Sequence, residues 1–530
     1  MIRILIAMSL LLVLPPAWAA DESTRFQPEL SPANLSQWKL IEGKWRILDG
    51  ALEQTDSEPL TAAIHAGPAF KDFKLTAEVN IRATGKGVRA AAILFRATGT
   101  KSFYWLHLDS NNKNAIFTKC SPEVEHAEIL RRPIKIQQDT WHKVRIECRG
   151  SNMVAFLDDT QIFEAQDSTL TAGRIGVGTS QGAAAFRNIQ VEGTQVANPE
   201  PLKNERTLHQ IISKGELAGP YQAFPDACRL PNGDILAVFY AGFSHISLPN
   251  DKWPRGGRIC QVRSKDEGAT WSTPSVLFDG PLDDRDPHIA VSSDGTLRCT
   301  FFTYYKGEGG KEVYDTCLVT SKDGGTKWET EPRILGARWA VSAPVRELKD
   351  GTLLLGIYTE AKGTAFGGVV RSTDKGQTWS APIPIDPESG VRLDAETDVI
   401  QLLDGSVFAA LRGDGKVHMH YSISKDAGLT WSPVKDIGFL GHCPHLTRLS
   451  SGEILLTHRI PNTALHVSRD DGQTWGNTIP IDGVIGAYAS TVELKDKSVL
   501  VIYYEEGGNS AIRAMRFRLE PNGIKKLPWD

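Results

Sequence analysis

Between residues 224 and 505 the chain repeats one pattern of apolar and polar positions six times. Each copy opens on polar or small residues and runs through a short apolar strand. It turns on Asp, Asn, Ser or Lys with Gly or an equivalent, then returns through a second apolar strand. The copies are FPDACRLPNGDILAVFY, RDPHIAVSSDGTLRCTFF, VSAPVRELKDGTLLLGIY, ETDVIQLLDGSVFAALR, CPHLTRLSSGEILLTHR and AYASTVELKDKSVLVIYYE. Short apolar runs bounded by turn residues predict strands, and each pair predicts a hairpin. Upstream, residues 26–193 alternate in short stretches. They predict strands over Trp45–Leu48, Phe73–Val79, Ala91–Phe95, Tyr104–Leu108, Trp141–Cys148, Met153–Leu157, Arg174–Val177 and Phe186–Val191. No amphipathic helical stretch of ordinary length interrupts them, so a β-sandwich or jelly roll is expected there. Residues 194–205, polar and with Pro199 and Pro201, predict a linker. The fold class expected is all-β, with an N-terminal jelly roll over 26–193 and a larger repeat domain over 206–522.

An eight-residue phrase punctuates the second half. It reads SKDEGATW at Ser264–Trp271, SKDGGTKW at Ser321–Trp328, STDKGQTW at Ser372–Trp379, SKDAGLTW at Ser424–Trp431 and SRDDGQTW at Ser468–Trp475. The Asp side chain can accept from backbone N–H groups just ahead of it and close a tight loop. The Gly tolerates a positive φ, and the Trp offers a large apolar body to neighbouring units. Spacing of about 44 to 57 residues means blades or arrays. Six hairpins with five such turns predict six blades. The outer strand of the last blade is expected from the segment around Leu208–Ile212, which would close the ring and hide its edges.

Lined up on their turns, the hairpins place Asp226, His288, Pro344, Asp398, His445 and Ser490 six residues before the turn. Phe224, Asp286, Ser342, Glu396, Cys443 and Tyr488 lie eight before it. Strand residues alternate faces, so both rings should share one face, toward the mouth of an axial channel. Most of these residues titrate, where an ordinary strand carries apolar groups. Buried ionisable groups are costly unless paired or functional, which makes this mouth the candidate site.

The eight-residue phrase resembles the Asp box of the sialidase (neuraminidase) superfamily, whose fold is a six-bladed β-propeller. The resemblance covers about residues 205 to 520. It implies a Tyr nucleophile, activated by a Glu, acting on a sugar whose anomeric carbon bears a carboxylate. By that resemblance Tyr488 is the nucleophile, Glu396 its base, Asp251 the acid/base in the loop before the first box, and Arg412 a ligand of the substrate carboxylate. Arg459 corresponds to a further clamp arginine. Glu505, in the Tyr504-Glu505 phrase, corresponds to the Glu that ends the last blade's second strand. The first clamp arginine of the family aligns with Ala223-Phe224-Pro225 and is missing, and Arg285 is the candidate replacement. Asp226, Asp286, His288, Asp398 and His445 complete the candidate substrate-binding set. The N-terminal half, through LSQWKLIEGKWRILDGAL, WHKVRIECRGSNMVAFLDDTQI and GRIGVGTSQGAAAFRNIQV, resembles concanavalin-like jelly rolls of the laminin-G and 3-keto-disaccharide-hydrolase type. Tyr104 and Trp105 are its candidate surface aromatics.

Two other functions fit the same pocket. His288 and His445 could serve as base and acid in a polysaccharide lyase, or in another glycosidase acting on uronic-acid glycans. The propeller could also bind glycans without cleaving them. A net charge of -4 leaves no electrostatic footprint for nucleic acid or anionic membrane. The expected partner is a glycan, with no cofactor and no metal-ligand motif. The first twenty residues carry Arg3, an apolar run over Ile4–Leu14 and Ala17-Trp18-Ala19. They read as a signal peptide cleaved after Ala19 or Ala20, implying a secreted or periplasmic protein, and no later segment is long enough to span a membrane. The 7 cysteines leave at least one unpaired, and Cys120–Cys148 is a possible disulfide.

Overall fold

The computed structural model describes residues 23–529, apart from 57–59, 84–88, 123–125, 206–207, 216, 361–364, 461, 485 and 507–509. The signal-peptide reading falls on residues outside this set. The chain divides into two compact units, 1–119 with 128–205 and 120–127 with 206–530.

The first unit is a sandwich of an eight-stranded and a seven-stranded antiparallel sheet. Alternation of the kind seen in Trp141–Arg149, where every second residue is buried, turns one face of each sheet inward. Phe70, Phe73, Phe95, Phe117 and Phe186 fill the space between. The expected surface aromatics are not on the surface: Tyr104 and Trp105 are buried. Burial is possible for Tyr104 because its hydroxyl donates to Asp167 at 2.5 Å. Cys120 and Cys148 are not joined in a disulfide, and Cys120 Sγ lies 3.4 Å from His126 Nδ1.

The second unit is a ring of six antiparallel sheets. The first five blades run Tyr221–Phe278, Asp283–Ala337, Ala340–Pro384, Leu393–Asp436 and His442–Asp482. The sixth takes three strands, Gly486–Glu493, Val499–Glu505 and Ala511–Glu520, and is completed by His209–Lys214 from the start of the unit. In the third blade the inner strand is split into Ala340–Val341 and Arg346–Glu347. Pro344 lies in the gap, where a residue without N–H cannot extend the ladder.

The five boxes share one hydrogen-bond design. In the first, Ser264 Oγ donates to Asp266 Oδ1 at 2.8 Å and accepts from Gly268 N at 2.8 Å. Asp266 Oδ1 also accepts from Thr270 N at 2.9 Å. The turn is left-handed at two consecutive positions, Glu267 at φ 59° and Gly268 at φ 86°. The glycine is needed for space as well as for φ. A Cβ on Gly268 would lie 3.1 Å from Leu500 of the sixth blade, and one on Gly428 would lie 3.0 Å from Leu354 of the third. Each box therefore presses its bare backbone against a neighbouring blade.

Candidate active site

Five of the six inner strands bulge near their start. Register shifts fall between Ala223 and Asp226, Arg285 and His288, Leu393 and Thr397, His442 and His445, and Ala487 and Ser490. Inside them Phe224, Asp286, Ala395, Cys443 and Tyr488 hold φ values of 53°, 49°, 62°, 50° and 42°. A side chain held there costs on the order of 1–3 kcal/mol. Bulges recur beside active sites because they re-aim side chains that simple alternation would send elsewhere.

At the centre lies a buried pair. Tyr488 Oη donates to Glu396 Oε1 at 2.5 Å. The same oxygen accepts from Arg412 Nη1 at 2.7 Å, and Glu396 Oε2 accepts from the backbone N–H of Cys443 at 2.7 Å. Burial opposes ionisation of Glu396, but Arg412, the Tyr488 hydrogen bond and Arg459 outweigh it and hold the carboxyl below its usual range. Burial and the Glu396 anion together push the Tyr488 phenol well above its ordinary pKa. The phenol is thus neutral, and its proton already faces an ionised acceptor. This is the arrangement a base needs beside a weak nucleophile.

Three guanidinium groups surround the phenol. Arg412 is held by Glu396 and by Asp394, 3.1 Å away. Arg459 lies 5.7 Å from the centre of the Tyr488 ring. Arg285 is buried among the rings of Phe224, Tyr240 and Phe302, at 5.5, 5.7 and 5.6 Å. Among the described residues, neither Arg285 nor Arg459 donates a side-chain hydrogen bond or forms an ion pair. The Nε atoms of all three arginines are buried with no hydrogen-bond partner among the described residues. Burying a cation without a paired anion is expensive, and the carboxylates that offset it here, Asp286 and Asp283 for Arg285 and Glu396 for Arg459, act without a direct ion pair among the described residues. Asp286 stands beside the arginines with Oδ1 unpartnered. Burial, partly offset by Arg285 and reinforced by Glu396 and Glu360, lifts its pKa to about 7.

Residues 258–482 and 361–519 match the BNR repeat-like domain, and residues 31–192 match the 3-keto-alpha-glucoside-1,2-lyase-like domain. The chain carries a BNR repeat-like domain preceded by a 3-keto-alpha-glucoside-1,2-lyase-like domain. The Hadza microbial sialidase Hz136 aligns over 90% of this chain and 95% of its own, with 13% identity and a TM-score of 0.50. That likeness is one of fold, and the fold is sialidase-like. A protein of unknown function from Dyadobacter fermentans aligns over 60% of this chain and 99% of its own, at 23% identity and a TM-score of 0.49. Levanase of Bacillus subtilis is 24% identical over 165 residues, 30% of this chain. The chain spans 23% of that relative's length.

Within the BNR repeat-like domain the structure brings together Tyr488, Glu396, Arg412, Arg459, Arg285 and Asp286. The other sequence candidates lie in separate networks. Asp226 is held 3.1 Å from His288 Nδ1 and 3.3 Å from His445 Nε2, and also accepts from the N–H of Ile289 at 3.0 Å. Asp398 is paired with Arg346 at 2.5 Å and accepts from the N–H of Leu446 at 2.7 Å. Both histidines thus turn a ring nitrogen onto one carboxylate. Glu505 is paired with Arg513, which also reaches Asp482. Asp251 lies exposed in the loop between the second and third strands of the first blade, and the described contacts do not join it to Tyr488 and Glu396.

Sequence reasoning missed several neighbours. Glu360, exposed on its outer side, has a raised pKa because of its enclosure and the nearby Glu396 anion. Glu506, one residue past the expected Glu505, accepts from Tyr221 and Tyr504. Period-two alternation from Tyr504 was the available signal for Glu506. No signal marked Glu360, which stands in a loop.

Proposed function

We propose that the BNR repeat-like domain is an exo-acting glycoside hydrolase that removes a terminal acidic sugar from glycans. The observation that carries this reading is the Tyr488–Glu396 pair set among three arginines, two of them without an ion pair among the described residues. In the proposed reaction the sugar's carboxylate lies against Arg285, Arg412 and Arg459. Tyr488 Oη attacks the anomeric carbon as Glu396 Oε1 takes its proton. A neutral phenol approaches a carbon bearing a carboxylate with less repulsion than a carboxylate nucleophile would meet, which is why sialidases depart from the two-carboxylate pattern of other glycosidases. Arg285 comes from the second blade and supplies the cation that the Phe224 position lacks. Asp286, with its pKa near 7, offers an O–H donor to a sugar hydroxyl at slightly acidic pH. Export, as the leader sequence suggests, would put the domain where such glycans occur.

The test is release of sugar from sialylated, uronic-acid and neutral glycans, with near-ultraviolet absorbance followed in parallel. Hydrolytic release confined to acidic termini is expected. Preferential release of neutral sugars would contradict the arginine argument. An absorbing unsaturated product would point to elimination, and binding without release to a lectin.

A further inference from the structure

The proposed hydrolase needs a group that protonates the departing oxygen, and the described contacts do not bring Asp251 to Tyr488 and Glu396. We propose that His245 is that acid/base, held in place by Tyr221 and Glu506. The assignment rests on the glycosidase reading above and deepens it.

His245 lies in the loop after the second strand of the first blade. Its Nδ1 is 2.9 Å from Tyr221 Oη. Tyr221 Oη in turn lies 3.0 and 2.9 Å from the two oxygens of Glu506, which also accepts from Tyr504 Oη at 2.9 Å. Burial opposes ionisation of Glu506, but His245, whose Nδ1 lies 3.8 Å away, and the hydrogen bonds from Tyr504 and Tyr221 hold its pKa at about 2. It is therefore an anion at neutral pH and can only accept. Tyr221 has one proton, and that proton goes to Glu506. The lone pair left on Tyr221 Oη can accept only from Nδ1–H of His245. The tautomer follows: Nδ1 keeps its hydrogen, and Nε2 is the position that gains and loses a proton. A ring nitrogen oriented by a partner backed by a carboxylate is the general design of an acid/base histidine.

Placement supports the role. The His245 ring meets Phe224 edge-on at 5.3 Å, and Phe224 meets the nucleophile Tyr488 edge-on at 4.9 Å. The side chain is 55% exposed, so it can reach both a leaving group departing to solvent and an incoming water. The charged groups facing it are Glu506 and, behind Tyr221, Arg285. The step balances. The bond from the anomeric carbon to the leaving oxygen breaks, its electron pair stays on that oxygen, and the oxygen takes the proton from Nε2. In the second half water gives a proton to Nε2 and its oxygen bonds the anomeric carbon. The Tyr488 oxygen leaves and recovers its proton from Glu396.

The full-length protein is assayed for kcat/KM across pH on two neuraminosides, one with a 4-nitrophenyl and one with a lactose leaving group. His245→Gln is expected to lose about 100-fold or more on the lactose-linked sugar and less than about 5-fold on the nitrophenyl one, whose phenolate leaves without a proton. The alkaline limb of the pH profile should vanish with it. Equal loss on both substrates, no loss on either, or the selective pattern appearing in Asp251→Asn instead would overturn the assignment. A wild-type protein that cleaves neither these substrates nor the matching pair of glucuronides would overturn the glycosidase reading and this role with it. Full turnover in Tyr488→Phe would strike the nucleophile alone and leave the leaving-group comparison legible.

Discussion

In the proposed hydrolase Tyr488 and Glu396 work only as a pair. The phenol cannot ionise on its own in a buried setting, and the carboxylate beside it is kept charged by Arg412. Tyr488→Phe and Glu396→Gln should each lower kcat by a factor of 10² or more while the protein still melts as a folded domain, with steady-state kinetics and thermal unfolding as the checks. Asp286 makes a different prediction. Its folded pKa of about 7 lies above that of an unfolded aspartate, about 3.9. The folded state therefore prefers the protonated form. Stability attached to this group is complete at low pH and is lost as pH rises from about 4 to about 7. Asp286→Asn should remove that slope, with a difference on the order of 2–4 kcal/mol between the two ends in denaturant titrations. At this scale the sequence placed Tyr488, Glu396 and Arg285 near the openings of strands, and the structure has them there. The sequence did not point to Glu506, which accepts from Tyr504. Arg346 was invisible because it sits past the Pro344 break, beyond both aligned rings.

The box turns and the bulges are the elements that give the ring its shape. Gly428 combines φ of 85° with a neighbour 3.0 Å from where a Cβ would be. Gly428→Ala should cost about 1–3 kcal/mol, more than the same change at Gly405, where φ is also positive but nothing lies within 4 Å. Paired chemical denaturation curves measure the difference. The boxes were legible because a side chain, a glycine and a tryptophan recur at fixed offsets. The left-handed fourth position was not, since Glu267, Gly324, Lys375, Ala427 and Asp471 share no chemistry. The bulges escaped for a related reason. Strict alternation would carry both aligned rings along one face, but an inserted residue at φ near 50° separates the arginine-lined tier from the Asp226, His288 and His445 tier.

At the level of the whole molecule, the hairpin count anticipated the six blades, and the box-free sixth blade anticipated a strand borrowed from the start of the unit. Ile212 lies buried on that strand among residues of the first and sixth blades. Ile212→Asp should destabilise the propeller by about 2–4 kcal/mol and expose an unpaired sheet edge, seen as a lower melting temperature with aggregation. In the proposed function this ring carries a tyrosine nucleophile for acidic sugars. The most direct measurement is mass spectrometry of peptides after incubation with fluorinated glycosyl fluorides of neuraminic and glucuronic acid, which slow breakdown of a glycosyl-enzyme. The account predicts one acidic-sugar adduct on Tyr488, absent in Tyr488→Phe. An adduct on Glu396 or Asp286, or turnover of acidic glycans with no adduct on any residue, would contradict it.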